Sequence, residues 1–485
     1  ADGQATISWL NNNKGFQLDG RNIDVKAKAV HARGGFRYLQ PANDEPWLGI
    51  LAGISTDDGS QAWRYFPENL MGKDLVDYLS GAIQGGEADN ATLVYGGNPQ
   101  LFPYKHNEGQ FEVLVPLRNA KFAFQPDWPA LTNLDIELDF INDGLWMKTD
   151  GVNLGGVRAS NLTAVIPDYS KEKLLIDADI KGPGKAVGPY FDETPLKDSL
   201  GATLQELQLD GDVNARLHLD IPLNGELVTA KGEVTLRNNS LFIKPLDSTL
   251  KNLSGKFSFI NSDLQSEPLT ASWFNQPLNV DFSTKEGAKA YQVAVNLNGN
   301  WQPAKTGVLP EAVNEALSGS VAWDGKVGID LPYHAGATYN IELNGDLKNV
   351  SSHLPSPLAK PAGEPLAVNV KVDGNLNSFE LTGQAGADNH FNSRWLLGQK
   401  LTLDRAIWAA DSKTLPPLPE QSGVELNMPP MNGAEWLALF QKGAAESVGG
   451  AASFPQHITL RTPMLSLGNQ QWNNLSIVSQ PTANG

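Results

Sequence analysis

At 485 residues the chain is several times longer than a single core of ~100–200 residues supports, so it forms several domains or one repetitive body. Apolar residues at 41% against 19% charged, with 47 Gly and 31 Pro, fit a folded β-rich protein better than a disordered one. A formal charge of −17 without a Lys/Arg run argues against nucleic acid or an anionic membrane surface as the main partner, and the absence of cysteine excludes disulfides, thiolate nucleophiles and cysteine-ligated metals.

The chain opens in strand-like sequence, Ala5-Thr6-Ile7-Ser8-Trp9, with no signal peptide, and reads as taken from inside a longer chain. Alternation of apolar and polar residues begins at Ile23, Val25, Ala27 and Ala29, the mark of a strand with one dry face. After Pro67 the period changes: Met71, Leu75, Tyr78, Leu79, Ala82 and Ile83 form a helical stripe that stops at Gly85-Gly86. Val113, Val115 and Leu117 then alternate into Val115-Pro116-Leu117. A second helical stripe follows Pro195, through Leu196, Leu200, Leu204 and Leu207.

The clearest strand is Val213, Ala215, Leu217, Leu219 and Ile221, with Asn214, Arg216, His218 and Asp220 on the other side. Tyr291, Val293, Val295 and Leu297 repeat the pattern, as do Val368, Val370 and Val372. A short helix is predicted after Pro310 (Val313, Ala316, Leu317, then Gly319), and another from Asn432, with Glu435 as its capping partner and Trp436, Leu437 and Phe440 on its apolar side. Asp210-Gly211, Asn224-Gly225, Asn344-Gly345 and Asp373-Gly374 read as turns, so the strands are expected to pair antiparallel in sequence order. The run Gly383-Gln-Ala-Gly386 also reads as a turn.

The spacing is regular. Helix-leading prolines stand at 67, 195, 310 and 430, and Leu131-Thr-Asn-Leu134 with Phe140-Ile-Asn recurs 119 residues on as Leu250-Lys-Asn-Leu253 with Phe259-Ile-Asn. The Pro-Leu strand end of Val115-Pro116-Leu117 returns at Ile221-Pro222-Leu223, more weakly at Leu331-Pro332. The organisation read from this is a leading β segment (1–66), three cognate units (67–194, 195–309 and 310–429) and the start of another (430–485).

Chemistry-bearing motifs are absent. The seven histidines have no ligand spacing, so no metal is expected, and there is no nucleophile elbow or phosphate loop, so neither a cofactor nor catalytic residues are expected. Ser55-Thr-Asp-Asp-Gly59 and Asp210-Gly-Asp212 read as turn chemistry rather than Ca²⁺ loops. Trp128, Trp146, Trp273 and Trp301 read as packing on sheet faces or strand ends. No apolar run reaches the ~18 residues of a membrane helix.

The few helices cannot cover so many one-sided strands. Either a second sheet covers the apolar face, giving filled sandwiches that act as a structural or adhesive array through protein contacts, or a ligand covers it. The helix, the strand ending in Pro-Leu, the repeated Asn-Leu-x5-Phe-Ile-Asn block and Leu354-Pro-Ser-Pro-Leu358-Ala-Lys360-Pro361 together resemble the AsmA-like family of Gram-negative envelope proteins, over essentially the whole chain. The resemblance implies a mainly β fold, a long curved antiparallel sheet forming a taco-like hydrophobic groove. It also implies a periplasmic location within an inner-membrane-anchored protein whose anchor lies outside this segment, and phospholipids as cargo bound for the outer membrane. On that basis the candidate groove residues are Ile23, Val25, Val113, Val115, Leu174, Ile176, Val213, Leu217, Leu219, Val293, Val295, Leu297, Val368 and Val370.

Overall fold

A computed structural model describes residues 2–66, 68–224, 226–244, 247–307, 309–444 and 452–479. Pro67 and Gly225 lie outside them, as does the side chain of Leu200. The chain is mainly β, and most described strands belong to one 29-stranded, mostly antiparallel sheet. It divides into two compact units: Ala1–Leu236 with Ser258–Asn261, and Arg237–Phe257 with Ser262–Gly485.

In the first unit, strands Asp2–Asn12, Gly15–Lys26, His31–Pro41, Trp47–Thr56, Ile83–Gly97, Gln110–Phe122, Leu131–Ile141, Gly144–Leu154, Val157–Ile166, Lys173–Pro183 and Asp212–Pro222 each pair antiparallel with the next. The predicted helix after Pro67 forms as Glu68–Met71 and Lys73–Ala82. Its stripe buries Leu75, Val76, Leu79 and Ala82, and Lys73 pairs with Asp77 one turn on. Tyr78 Oη donates to the Phe124 carbonyl at 3.1 Å, so a polar tip is satisfied where its ring is covered. The stripe after Pro195 takes a different form: a π-helical turn over Lys197–Gly201 leads into Ala202–Glu206.

In the second unit, strands Leu269–Trp273, Gln276–Glu286, Ala290–Trp301, Val321–Pro332, Thr338–Asp346, Ala367–Asn375, Ser378–Ala385, Asn389–Leu396 and Leu401–Ala410 again pair antiparallel in order. The expected antiparallel order ends there. Leu401–Ala410 runs parallel to Gly423–Asn427, which runs parallel to Ile458–Leu467. Parallel neighbours need a long return path, which 411–422 supplies once and the helix Gly433–Ala444 the second time. Asn432 Oδ1 accepts the Ala434 N–H at 3.1 Å and its Nδ2 donates to Glu435 Oε1 at 2.7 Å, so the capping pair forms through side chains.

Three turn expectations are corrected. Asn344-Gly345 and Asp373-Gly374 lie inside strands, and Gly383 to Ala385 complete one, with only Gly386 turning (φ +67°). These glycines make room rather than bends: a Cβ on Gly374 would stand 2.6 Å from the Tyr339 ring, and one on Gly383 2.0 Å from the Phe391 ring.

The 119-residue spacing recurs in the backbone. Asn119, Asn133 and Asn142 adopt left-handed φ of 49°, 51° and 51°, and Asn238, Asn252 and Asn261 adopt 54° at each counterpart. Asn142 Oδ1 accepts the Phe111 N–H at 3.0 Å, and Asn261 Oδ1 accepts the Ala230 N–H at 2.8 Å. An asparagine amide that accepts from the start of the neighbouring strand stabilises the left-handed step, so the repeat is one of local bends as well as of sequence.

Candidate functional site

Residues opposite one another on paired strands point to the same face, so register converts alternation into rows across a sheet. In the first unit one row runs Ile23, Gly34, Ala52, Leu93, Val113, Phe140, Leu145, Ile166. A second runs Val115, Leu138, Met147, Ala164, Ile176, Leu219, Ala230. Neither row contains a charged residue.

The second unit carries the longest row. Leu269, Val280, Leu297, Gly325, Leu343, Val370, Gly383, Phe391, Trp408, Leu426, Leu460 and Ile477 are successive register partners. Beside it run Phe282, Val295, Val327, Ile341, Val372, Leu381, Ser393, Ala406, Val424 and Ile458. Trp273 and Trp301 end their strands, and Trp301 packs edge-on to Trp323 at 4.7 Å.

The opposite face is polar. Asn279 Nδ2 donates to Asn298 Oδ1 at 3.0 Å, Asn344 Nδ2 to Asp324 Oδ2 at 3.2 Å and Asn369 Nδ2 to Asn344 Oδ1 at 2.7 Å, a ladder of side-chain amides across strands. In the first unit His218 Nδ1 meets Asp177 Oδ1 at 2.8 Å on the same kind of face. Asp58, singled out in an acidic cluster, accepts the Ser60 N–H at 3.0 Å and starts the 3₁₀ turn Gly59–Tyr65. Among the described residues no three His, Cys, Asp or Glu converge, and no helix is long and apolar enough to cross a membrane.

Covering differs along the rows. In the first unit Leu174 (0% exposed) and Ile176 (8%) share one core with Leu75 and Leu79 of helix Lys73–Ala82, and Val113, Val115 and Leu219 pack half-buried against it. Val213 is buried, Leu217 and Ile23 are half-buried, and Val25 is exposed. In the second unit Val293 and Leu297 are buried and Val295 half-buried. Tyr291 seals the end of that strand: its Oη donates to the Ser262 carbonyl at 2.6 Å, and burial pushes the phenol up to about 12.

From 338 to 396 the apolar face changes character. Tyr339, Ile341, Leu343, Val368, Val370, Val372, Phe379, Leu381, Phe391 and Trp395 are all half-buried. Val368 and Val370 in this stretch are candidate groove residues by sequence; Ile341, Leu343 and Phe391, on the same face, are not among them. Their alternation is legible, yet the interior glycines at 345, 374 and 383 read as turns and interrupt the pattern.

The model of the YhdP protein family matches residues 1–485 of the chain. No solved structure matches it.

Proposed function

Because the chain thus belongs to the YhdP protein family, we propose that it is a passive lipid conduit of the bacterial envelope, holding phospholipid acyl chains on its apolar face. The observation that carries this reading is the charge-free row across twelve strands of the second unit, in which Leu343, Val370 and Phe391 are half-buried. Such a surface is wasteful if left in water and well suited to methylene chains, each buried CH₂ contributing about 0.8 kcal/mol. The candidate residues Val293, Val295, Leu297, Val368 and Val370 belong to these rows or lie on the same faces, and the head group is placed towards water. Similar side chains recur from strand to strand, so a chain passes between near-equal positions and no hydrolysis is required within this segment. The repeat units would supply that recurrence, and the periplasm between inner and outer membranes is where such a face has work.

The sealed core of the first unit favours a second, narrower reading there: Leu174 and Ile176 serve as scaffold packed by helix Lys73–Ala82. Native mass spectrometry with organic extraction, after mild purification from a bacterial envelope, tests the main reading. Phospholipid is expected to co-purify, and Val370→Asp or Val295→Asp to reduce it about tenfold, the loss of about 1.4 kcal/mol of apolar contact. A folded, lipid-free wild-type chain would favour filled sandwiches acting through protein contacts.

A further inference from the structure

In the first unit a shallow cavity of different character lies over the strands that carry Arg33, Arg37 and Trp47. It has a volume of about 810 Å³ and is lined by residues of Gly15–Lys26, His31–Pro41, Trp47–Thr56 and the strand beyond. Three arginines, Arg21, Arg33 and Arg37, fall within 17 residues on its walls, in a chain of net charge −17. Register sets Arg37 between Asp19 and Gly49, and Arg33 between Asp24 and Gly53. The space above Gly53 is open, and the Trp47 indole lies across Gly49, where a Cβ would stand 2.3 Å from it. Trp47 is 41% exposed and Leu51 62%, an apolar centre inside a cationic rim.

The arginines are held in place without being used up. Arg37 Nε donates to Asp19 Oδ1 at 2.7 Å, and Gln17 Nε2 donates to Asp19 Oδ2 at 2.6 Å, so the carboxylate stays ionised well below its ordinary range. Arg33 Nε donates to Asp24 Oδ2 at 3.1 Å, with His31 Nε2 on Oδ1 at 2.8 Å. Both guanidinium contacts run through Nε, which leaves the terminal nitrogens for a further acceptor. Arg21 makes no ion pair among the described residues.

We propose that this concavity docks an acidic polypeptide segment of a partner protein, its carboxylates pairing with Arg21, Arg33 and Arg37 while an apolar side chain rests on Trp47 and Leu51. Arginine and tryptophan around a small apolar centre are the side chains that dominate protein interfaces. A flat anionic bilayer fits less well, because Asp19 and Asp24 stand among the arginines. A second copy of this chain fits less well again, since both copies carry −17.

The test is fluorescence anisotropy of the intact chain with a labelled peptide of alternating glutamate and leucine. The peptide is expected to bind more weakly as salt rises, and its glutamine counterpart to bind poorly. Arg21→Glu should weaken binding about tenfold or more, and Leu51→Ser should weaken it severalfold with no charge change. Arg216→Glu makes the same charge change at an 88% exposed side chain elsewhere and should leave affinity as it was. Failure of the glutamate peptide to bind, equal loss with Arg216→Glu, or equally tight binding of phosphatidylglycerol vesicles would each overturn the proposal. Should Arg21→Glu lose its far-UV dichroism, Leu51→Ser decides alone.

Discussion

Asp139 stands on a strand where its register partners are Leu114 on one side and Trp146 on the other. Its Oδ1 is buried without a hydrogen-bond partner, and desolvation, helped by Glu112 and Glu137, raises its carboxyl above the ordinary value. A raised carboxyl favours the protonated form in the fold, so this contribution is fully present below the unfolded value and is lost as pH rises through the folded one. Asp139→Asn should therefore stabilise the chain at pH 7, by under about 1 kcal/mol for so partly covered a group. The gain should vanish near pH 3.5, below the ordinary carboxylate value of about 3.9. Urea unfolding at both pH values measures it, and an equal gain at each would refute the assignment.

At the scale of elements, the sequence announces strands with one dry face and a helix with an apolar stripe, because periods of 2 and 3.6 are written in residue type alone. Val213 to Ile221 and Leu75 to Ala82 were legible for that reason. What was not legible is how much covers a face: Leu174 and Val370 belong to the same pattern, yet one is sealed beneath a helix and the other half open. Cover comes from elements distant in the chain, and alternation carries no record of them. Nor could pattern separate a glycine that turns from one that yields space to a ring. Gly383→Val should displace Phe391 and cost about 1–3 kcal/mol, the usual range for overpacking. Phe391→Ala in the same chain should recover part of that cost, a non-additivity that a double-mutant cycle on thermal unfolding reads directly. Strict additivity would mean the ring does not lie over the glycine.

Over the whole molecule, two features contend: long apolar rows and a solvated, acidic exterior that keeps copies apart. The sequential pairing of strands bears on how the molecule comes into being. Where each strand pairs with the one before it, closing a hairpin needs only a short loop, and a chain delivered from its N-terminus can add strands to a growing edge without waiting for distant segments. Some pairings depart from this order: Ile458–Leu467 joins Gly423–Asn427 across an intervening helix, and Leu317–Gly319 pairs with Val350–Ser352 across two further strands. Assembly is thus vectorial along much of the chain, and its latest closures fall where such long-range pairings form.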